Sequence, residues 1–122
     1  MNFYQWSKVK SSQLLPGIVG KQIVGERVMV CRFRYDPNVV EPVHSHESEQ
    51  FSYVVEGQVQ FISGGKQISA GPGDVLHFPS NVPHGLQVLD QGAELVEIFS
   101  PLRPDLVAAM GTPATSETGD AK

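Results

Sequence analysis

The sequence predicts an all-β domain, a sandwich or barrel of antiparallel strands, and two observations predict it. Short runs of β-branched and aromatic residues recur from Val28 to Phe99, and turn formers bound each run. The spacing leaves no room for helices between the runs, so the strands must pair with near neighbours in antiparallel fashion.

In chain order the predicted strands are Val28–Tyr35, Phe51–Val55, Val59–Ile62, Val75–Phe78, Leu86–Leu89 and Leu95–Phe99. Between them stand Asp36-Pro37-Asn38, Glu56-Gly57, Ser63-Gly64-Gly65-Lys66, Gly71-Pro72-Gly73-Asp74, Pro79-Ser80-Asn81-Val82-Pro83 and Asp90-Gln91-Gly92, all read as turns. Gly64-Gly65 is a hairpin tip and not a phosphate cradle, because no helix follows it. Only Pro104–Met110 reads as helical, with Pro104 suited to the first turn and Leu106, Val107 and Met110 forming an apolar stripe for docking on the barrel. From Gly111 onward the residues are small and polar and cannot bury enough surface to order themselves. The expected organisation is one domain over residues 1–110, including N-terminal strands and the short C-terminal helix, and a disordered tail over 111–122.

Across 122 residues the net charge is -4, without long runs of one sign. That excludes the basic stripe that nucleic acid or an anionic membrane surface requires, and points to small-molecule partners. The first residues lack a basic region followed by an apolar core, and no segment is apolar enough to span a bilayer, so a cytoplasmic protein is expected. Cys31 is the only cysteine, which rules out an internal disulfide and reads as a small buried strand residue. Several strands are apolar on both parities, so a second copy of the chain is expected to cover the outer face in a homodimer.

His44-Ser45-His46 sets two imidazoles two positions apart, and in an extended chain such residues share a face at roughly 6 to 7 Å. Both can then reach one divalent ion at about 2.1 Å. The same parity continues to Gln50, whereas Glu47 and Glu49 fall on the opposite face, so Gln50 is the better third ligand. His84, which follows Pro83 after the later turn, is the fourth. Three neutral imidazoles and an amide leave the ion its full positive charge, which favours an anionic ligand such as a carboxylate or enolate and polarises it. Nickel, zinc, iron, manganese and cobalt all suit these donors. His77 has the opposite parity to Leu76 and Phe78 and reads as exterior or interface.

The stretch His44-Ser45-His46-Glu47-Ser48-Glu49-Gln50 up to Gly57, followed by Gly73-Asp74 up to Pro79 and by Pro83-His84, resembles the two signature motifs of the cupin family. The resemblance implies a double-stranded β-helix, or jelly-roll, barrel around one metal. Asn38 and Asn81 stand where that family usually has glycine, and asparagine is the next residue most tolerant of left-handed backbone. Val88 replaces the usual closing Asn, and Gln50 replaces the usual acidic ligand.

Within the cupins, Glu49-Gln50-x-Ser52-Tyr53-Val54 and Pro79-Ser80-Asn81-Val82-Pro83-His84-Gly85 are similar to the small pectin-degradation cupins, which linearise unsaturated uronates. The segment Glu97-Ile98-Phe99-Ser100-Pro101-Leu102-Arg103 resembles that family's acid-x-Phe-x-Pro-x-Arg, with Glu97 one methylene longer than the usual Asp. The resemblance implies catalytic roles: Glu97 moves a proton, Phe99 walls the pocket against water, and Arg103 clamps a sugar-acid carboxylate or orients Glu97. Taken without it, Glu97 and Arg103 read as a solvated surface ion pair and Phe99 as core. The function expected is isomerisation or linearisation of a small unsaturated sugar acid or similar enolisable carboxylate. A metal-dependent dioxygenase of a small enolate and a non-catalytic carboxylate-binding module are the competing readings.

Overall fold

Buried and exposed side chains alternate along strand after strand, the period that one-sided burial imposes on an extended chain. In the computed structural model, which describes residues 1–111 and 113–118, the elements follow a 3-10 turn at Trp6–Lys8. They are β1 (Ser12–Leu15), β2 (Ile18–Val24), β3 (Met29–Tyr35), β4 (Val40–His44), β5 (Glu49–Ser63), β6 (Lys66–Ala70), β7 (Val75–Phe78), β8 (His84–Ser100) and α1 (Pro104–Met110).

Two long strands organise the rest. β5 and β8 pair antiparallel from Glu49↔Ser100 to Ser63↔His84, and each serves two sheets. The first half of β5 pairs with β7 and the second half with β6. The first half of β8 pairs with β4 and the second half with β3. One layer therefore runs β1-β2-β3-β8-β5-β7 and the other β4-β8-β5-β6, a jelly roll with the core between them.

Each of these long strands corrects a pair of shorter predicted ones. Glu56-Gly57 and Asp90-Gln91-Gly92 are bends inside continuous strands, because the ladder carries on through register shifts around Glu56–Val59. Gly57 adopts φ +86, and a Cβ there would lie 2.1 Å from the Gly92 carbonyl oxygen. Glycine thus reads as a chain reversal in the sequence but acts as a crease in the sheet. Gly64 and Gly65, with φ 58 and 75, do form the β5–β6 hairpin tip. Among the described residues Asn38 (φ 65) and Asn81 (φ 64) are the only non-glycine residues with positive φ, as expected of them. β1, β2, β4 and β6 lie outside the predicted runs; β6 is exposed at four of its five positions and so shows no alternation.

The interior is filled by Met29, Val54, Val59, Val88, Leu95 and Phe99, all essentially inaccessible. Each such side chain contributes on the order of 2 kcal/mol through burial. Helix α1 docks through Leu106 and Met110, and the Gln22 amide donates to the Leu106 carbonyl at 3.1 Å. The tail expectation falls partly on residues outside those described. In its described part the chain is tied down, since the Glu117 amide donates to the Phe3 carbonyl and Lys8 pairs with the Glu117 carboxylate. No helix among the described residues is long and apolar enough to cross a membrane.

The outer face of the first layer carries two apolar rows fixed by register. Val30, Ile98, Phe51 and His77 stand side by side, next to Arg32, Val96, Tyr53 and Val75. Phe51 and Tyr53 are each 45% exposed. His77 is exposed as expected, stacked on Phe51 and hydrogen-bonded to Glu49 at 2.6 Å.

Cys31 is fully buried on β3, and burial, aided by the Glu97 charge, pushes its thiol from 9.0 up to about 12. The folded chain holds this proton where the unfolded chain has lost it. The thiol's contribution to stability is therefore intact below pH 9.0 and lost as the pH rises toward about 12. Native protein at about pH 8 is expected to resist iodoacetamide while urea-unfolded protein is labelled. Labelling of both at equal rates would contradict the burial.

Candidate functional site

Four side chains from two distant stretches converge inside one end of the barrel. His44 ends β4, His46 lies in the following loop, Gln50 is the second residue of β5, and His84 opens β8 beside His44 in the ladder. The metal-binding atoms of His44, His46 and His84 all lie within 4.8 Å of one another, and the ring centroids are 4.7 to 5.5 Å apart.

Local backbone fixes how these rings present themselves. The Nδ1 of His44 contacts the Pro42 carbonyl at 3.0 Å, that of His46 the Ser48 carbonyl at 2.8 Å, and that of His84 the Val82 carbonyl at 2.8 Å. A carbonyl only accepts, so each Nδ1 carries the proton and each Nε2 offers a lone pair. This is how ligating imidazoles are usually oriented.

Gln50 is held from behind. Its amide nitrogen donates to the Ser52 hydroxyl at 2.9 Å and to Glu97 Oε2 at 3.0 Å. A carboxylate partner requires the NH2 on that side, which turns Oε1 toward His46 Nε2 at 3.0 Å. Two acceptors then face each other with no hydrogen between them. His84 Nε2 is buried with no hydrogen-bond partner at all. Burial disfavours protonating either ring: it lowers His46 below the ordinary 6.5, and His84 to about 4. Lone pairs converging without protons, that of His84 fully buried, are the chemistry of a cation site, and the neutral N3O donor set fits a divalent transition metal.

Glu97 is 4% exposed, facing inward between Leu95 and Phe99. Ser52 donates to its Oε2 at 2.5 Å alongside Gln50. Burial, reinforced by the Glu41 charge, raises its pKa from 4.5 to about 8, despite opposition from Ser52, Arg103 and Gln50. A solvated surface pair with Arg103 is therefore ruled out. The Arg103 guanidinium instead donates twice to Asp105, at 3.2 and 2.6 Å, while lying 5.1 Å over the Phe99 ring. Burial alone would raise the Asp105 pKa, but those bonds and the Arg103 charge hold it below its usual range. Phe99 packs edge-on to His46 on its other side, at 5.8 Å between ring centroids.

A cavity of about 210 Å³ opens among Tyr35, Glu41, Glu97, Arg103 and the apolar Leu15 and Leu106. It adjoins an open mouth of about 510 Å³ that reaches His44 and His46 past Leu15, Glu41, Arg103 and Asp105. The sequence reading missed Ser52, Glu41 and Asp105 as members of this site. Ser52 continues the parity of His44 to Gln50 and was detectable on that ground. Asp105 had only its nearness to Arg103 as a signal, and Glu41 had the wrong parity.

Comparison with known proteins agrees with this geometry. Residues 31–99 match the family model described as a cupin domain. Pectin degradation protein KdgF of Dickeya dadantii (strain 3937) is 28% identical over 81 residues, covering 66% of this chain and 73% of that protein. Oxalate decarboxylase OxdC of Bacillus subtilis (strain 168), whose Mn(II) centres have been studied, is 27% identical over 81 residues. That match covers 62% of this chain but spans only 21% of the decarboxylase. The solved structure of KdgF from Halomonas sp. superposes with a TM-score of 0.81 at 27% identity, over 87% of this chain and 98% of that one.

Removing the His84 imidazole is expected to leave the fold and abolish most metal uptake. His84→Ala, loaded with Zn(II) or Mn(II) and desalted, should keep a cooperative melting transition yet retain well under half of the wild-type metal by elemental analysis. Full retention would remove His84 from the donor set.

Proposed function

The chain belongs to the cupin family, and we propose that within it this protein is a metal-dependent enzyme of the isomerase type. Its reaction on this reading is linearisation of a small unsaturated sugar acid. The observation that carries the proposal is the bond from Gln50 to Glu97. One amide has its oxygen beside His46 Nε2 and its NH2 on a buried carboxyl that lines a ligand-sized cavity. Likeness to the two KdgF proteins supports the substrate class.

His44, His46, Gln50 and His84 would hold the ion; when bound, it supplies a Lewis acid that stabilises negative charge developing on a substrate oxygen. Converting an enol ether or enol into a ketone requires a proton to arrive at carbon and another to leave oxygen. Glu97 is the group able to hold and deliver that proton, and Ser52 and Gln50 fix its Oε2 so that Oε1 remains for the substrate. Phe99 closes the floor between His46 and Arg103, limiting water at the reacting atoms. Arg103, already held by Asp105, contributes a fixed wall with its remaining N–H groups available to substrate oxygens.

The test is direct. Metal-loaded protein incubated with a 4,5-unsaturated monouronate should remove the enol-ether absorbance, and a chelator should stop it. Glu97→Gln should retain metal and lose about 10²-fold or more in turnover. Full activity in that variant would eliminate Glu97 as the proton carrier, and oxygen uptake during turnover would replace the isomerase reading with a dioxygenase one.

The same reading extends to assembly as a homodimer, with a second copy covering the Val30-Ile98-Phe51 and Val96-Tyr53-Val75 rows. An exposed apolar sheet face of this extent is the kind of surface that self-association buries. Sedimentation of wild type at twice the protomer mass, and of Phe51→Glu at the protomer mass, is expected. A monomeric wild type would refute it.

A further inference from the structure

Glu41 faces the cleft although the strand's alternation assigns it to the opposite side. It lies three residues before His44, an odd separation, so both cannot point inward from a regular strand. The β4–β8 pairing shifts register between Glu41 and His44, and the intervening Pro42 and Val43 are both exposed. Gly85 on β8 permits this close passage: a Cβ there would lie 2.9 Å from the Glu41 carbonyl oxygen and 3.0 Å from the Val43 nitrogen. The bulge thus turns a charged side chain into the site at a position where a regular ladder would turn it out.

The carboxylate so placed is at the junction of the inner cavity and the open mouth, since it lines both. Its Oε1 accepts from the buried Tyr35 hydroxyl at 3.4 Å, and its Oε2 is 4.0 Å from His44 Nε2. Arg103, which lines the same cleft, is paired with Asp105, so that pair adds no net charge there. A ligand whose anionic group sits at the imidazoles meets the Glu41 oxygens at this junction.

Building on the reading of a metal-held acid, we propose that Glu41 is a specificity-determining residue. It accepts a hydrogen bond from a hydroxyl on a monoanionic hydroxy acid and excludes ligands that carry a second carboxylate at that position. A hydroxyl gains an acceptor there, whereas a second anion meets like charge in a partly desolvated cleft.

Two three-carbon probes separate these outcomes, 3-hydroxypropionate and malonate, which differ at one end in hydroxyl against carboxylate. Their affinities for Co(II)-loaded wild type, Glu41→Gln and Glu41→Leu are measured by calorimetry, with cobalt content checked after each titration. The ratio of malonate to 3-hydroxypropionate affinity is expected to rise about tenfold or more in both variants. Glu41→Leu supplies the reading even if the glutamine variant folds poorly. Binding of both acids with an unchanged ratio and unchanged cobalt would overturn the role of Glu41 alone. Failure of 3-hydroxypropionate to bind wild type would overturn the metal-held-acid reading, and the role of Glu41 with it, whereas malonate too weak to detect on wild type but bound by the variants is the exclusion expected.

Discussion

The antiparallel ladder between β5 and β8 is the constraint on which the remaining structure depends. Because both strands are long and bend together where Gly57 meets Ala93, each contributes to two layers, and the layers close over one interior. The same ladder delivers the chemistry. Gln50 and Ser52 come from one end of β5, Glu97 and Phe99 from the adjoining end of β8, and His84 from the far end of β8. Only strands that turn from one layer into the other can bring both ends of β8 to the same site. His44 then arrives through the β4–β8 pairing at His84. Fold and site are consequently a single object, and a slip of one residue in this ladder would turn Gln50, Ser52 and Glu97 outward.

Within that frame the Gln50 amide connects two kinds of chemistry. A carboxylate at this position would compensate a bound cation's charge but would repel Glu97; the neutral amide donates to Glu97 and still keeps an oxygen lone pair beside that of His46 Nε2. The replacement of an acidic ligand by glutamine, which from the sequence reads as a loss of anionic charge, is accompanied by a second carboxyl held close behind it. Low dielectric makes such an arrangement sensitive, because a buried polar group lacking its partner is costly.

The sequence made much of this legible, and the particular misses have physical causes. His44, His46 and Gln50 were found because they share a parity, and His84 because the turn before it returns the chain to the same end. For Glu97 only the resemblance pointed inward, since the residues alone read as a surface ion pair with Arg103; the burial of Glu97 between Leu95 and Phe99 corrects that. Glu56-Gly57 and Asp90-Gln91-Gly92 were misread because the residues that allow a reversal also allow a crease, and only the partner strand distinguishes them. Glu41 was invisible because its direction is set by a bulge opposite Gly85, a property of pairing and not of local pattern. The sequence paired Arg103 with a substrate carboxylate or with Glu97, whereas its bonds go to Asp105 two positions on, an arrangement created by the first turn of α1.

Helix α1 contributes Asp105, Leu106 and Ala109 to the wall of the cavity and is tied to the barrel through the Gln22–Leu106 bond, yet it supplies none of the converging imidazoles. Part of the pocket's shape is therefore set by a segment that lies outside the histidine cluster. A larger side chain at the exposed Ala109 can narrow what the cavity admits while the imidazole donors stay where they are.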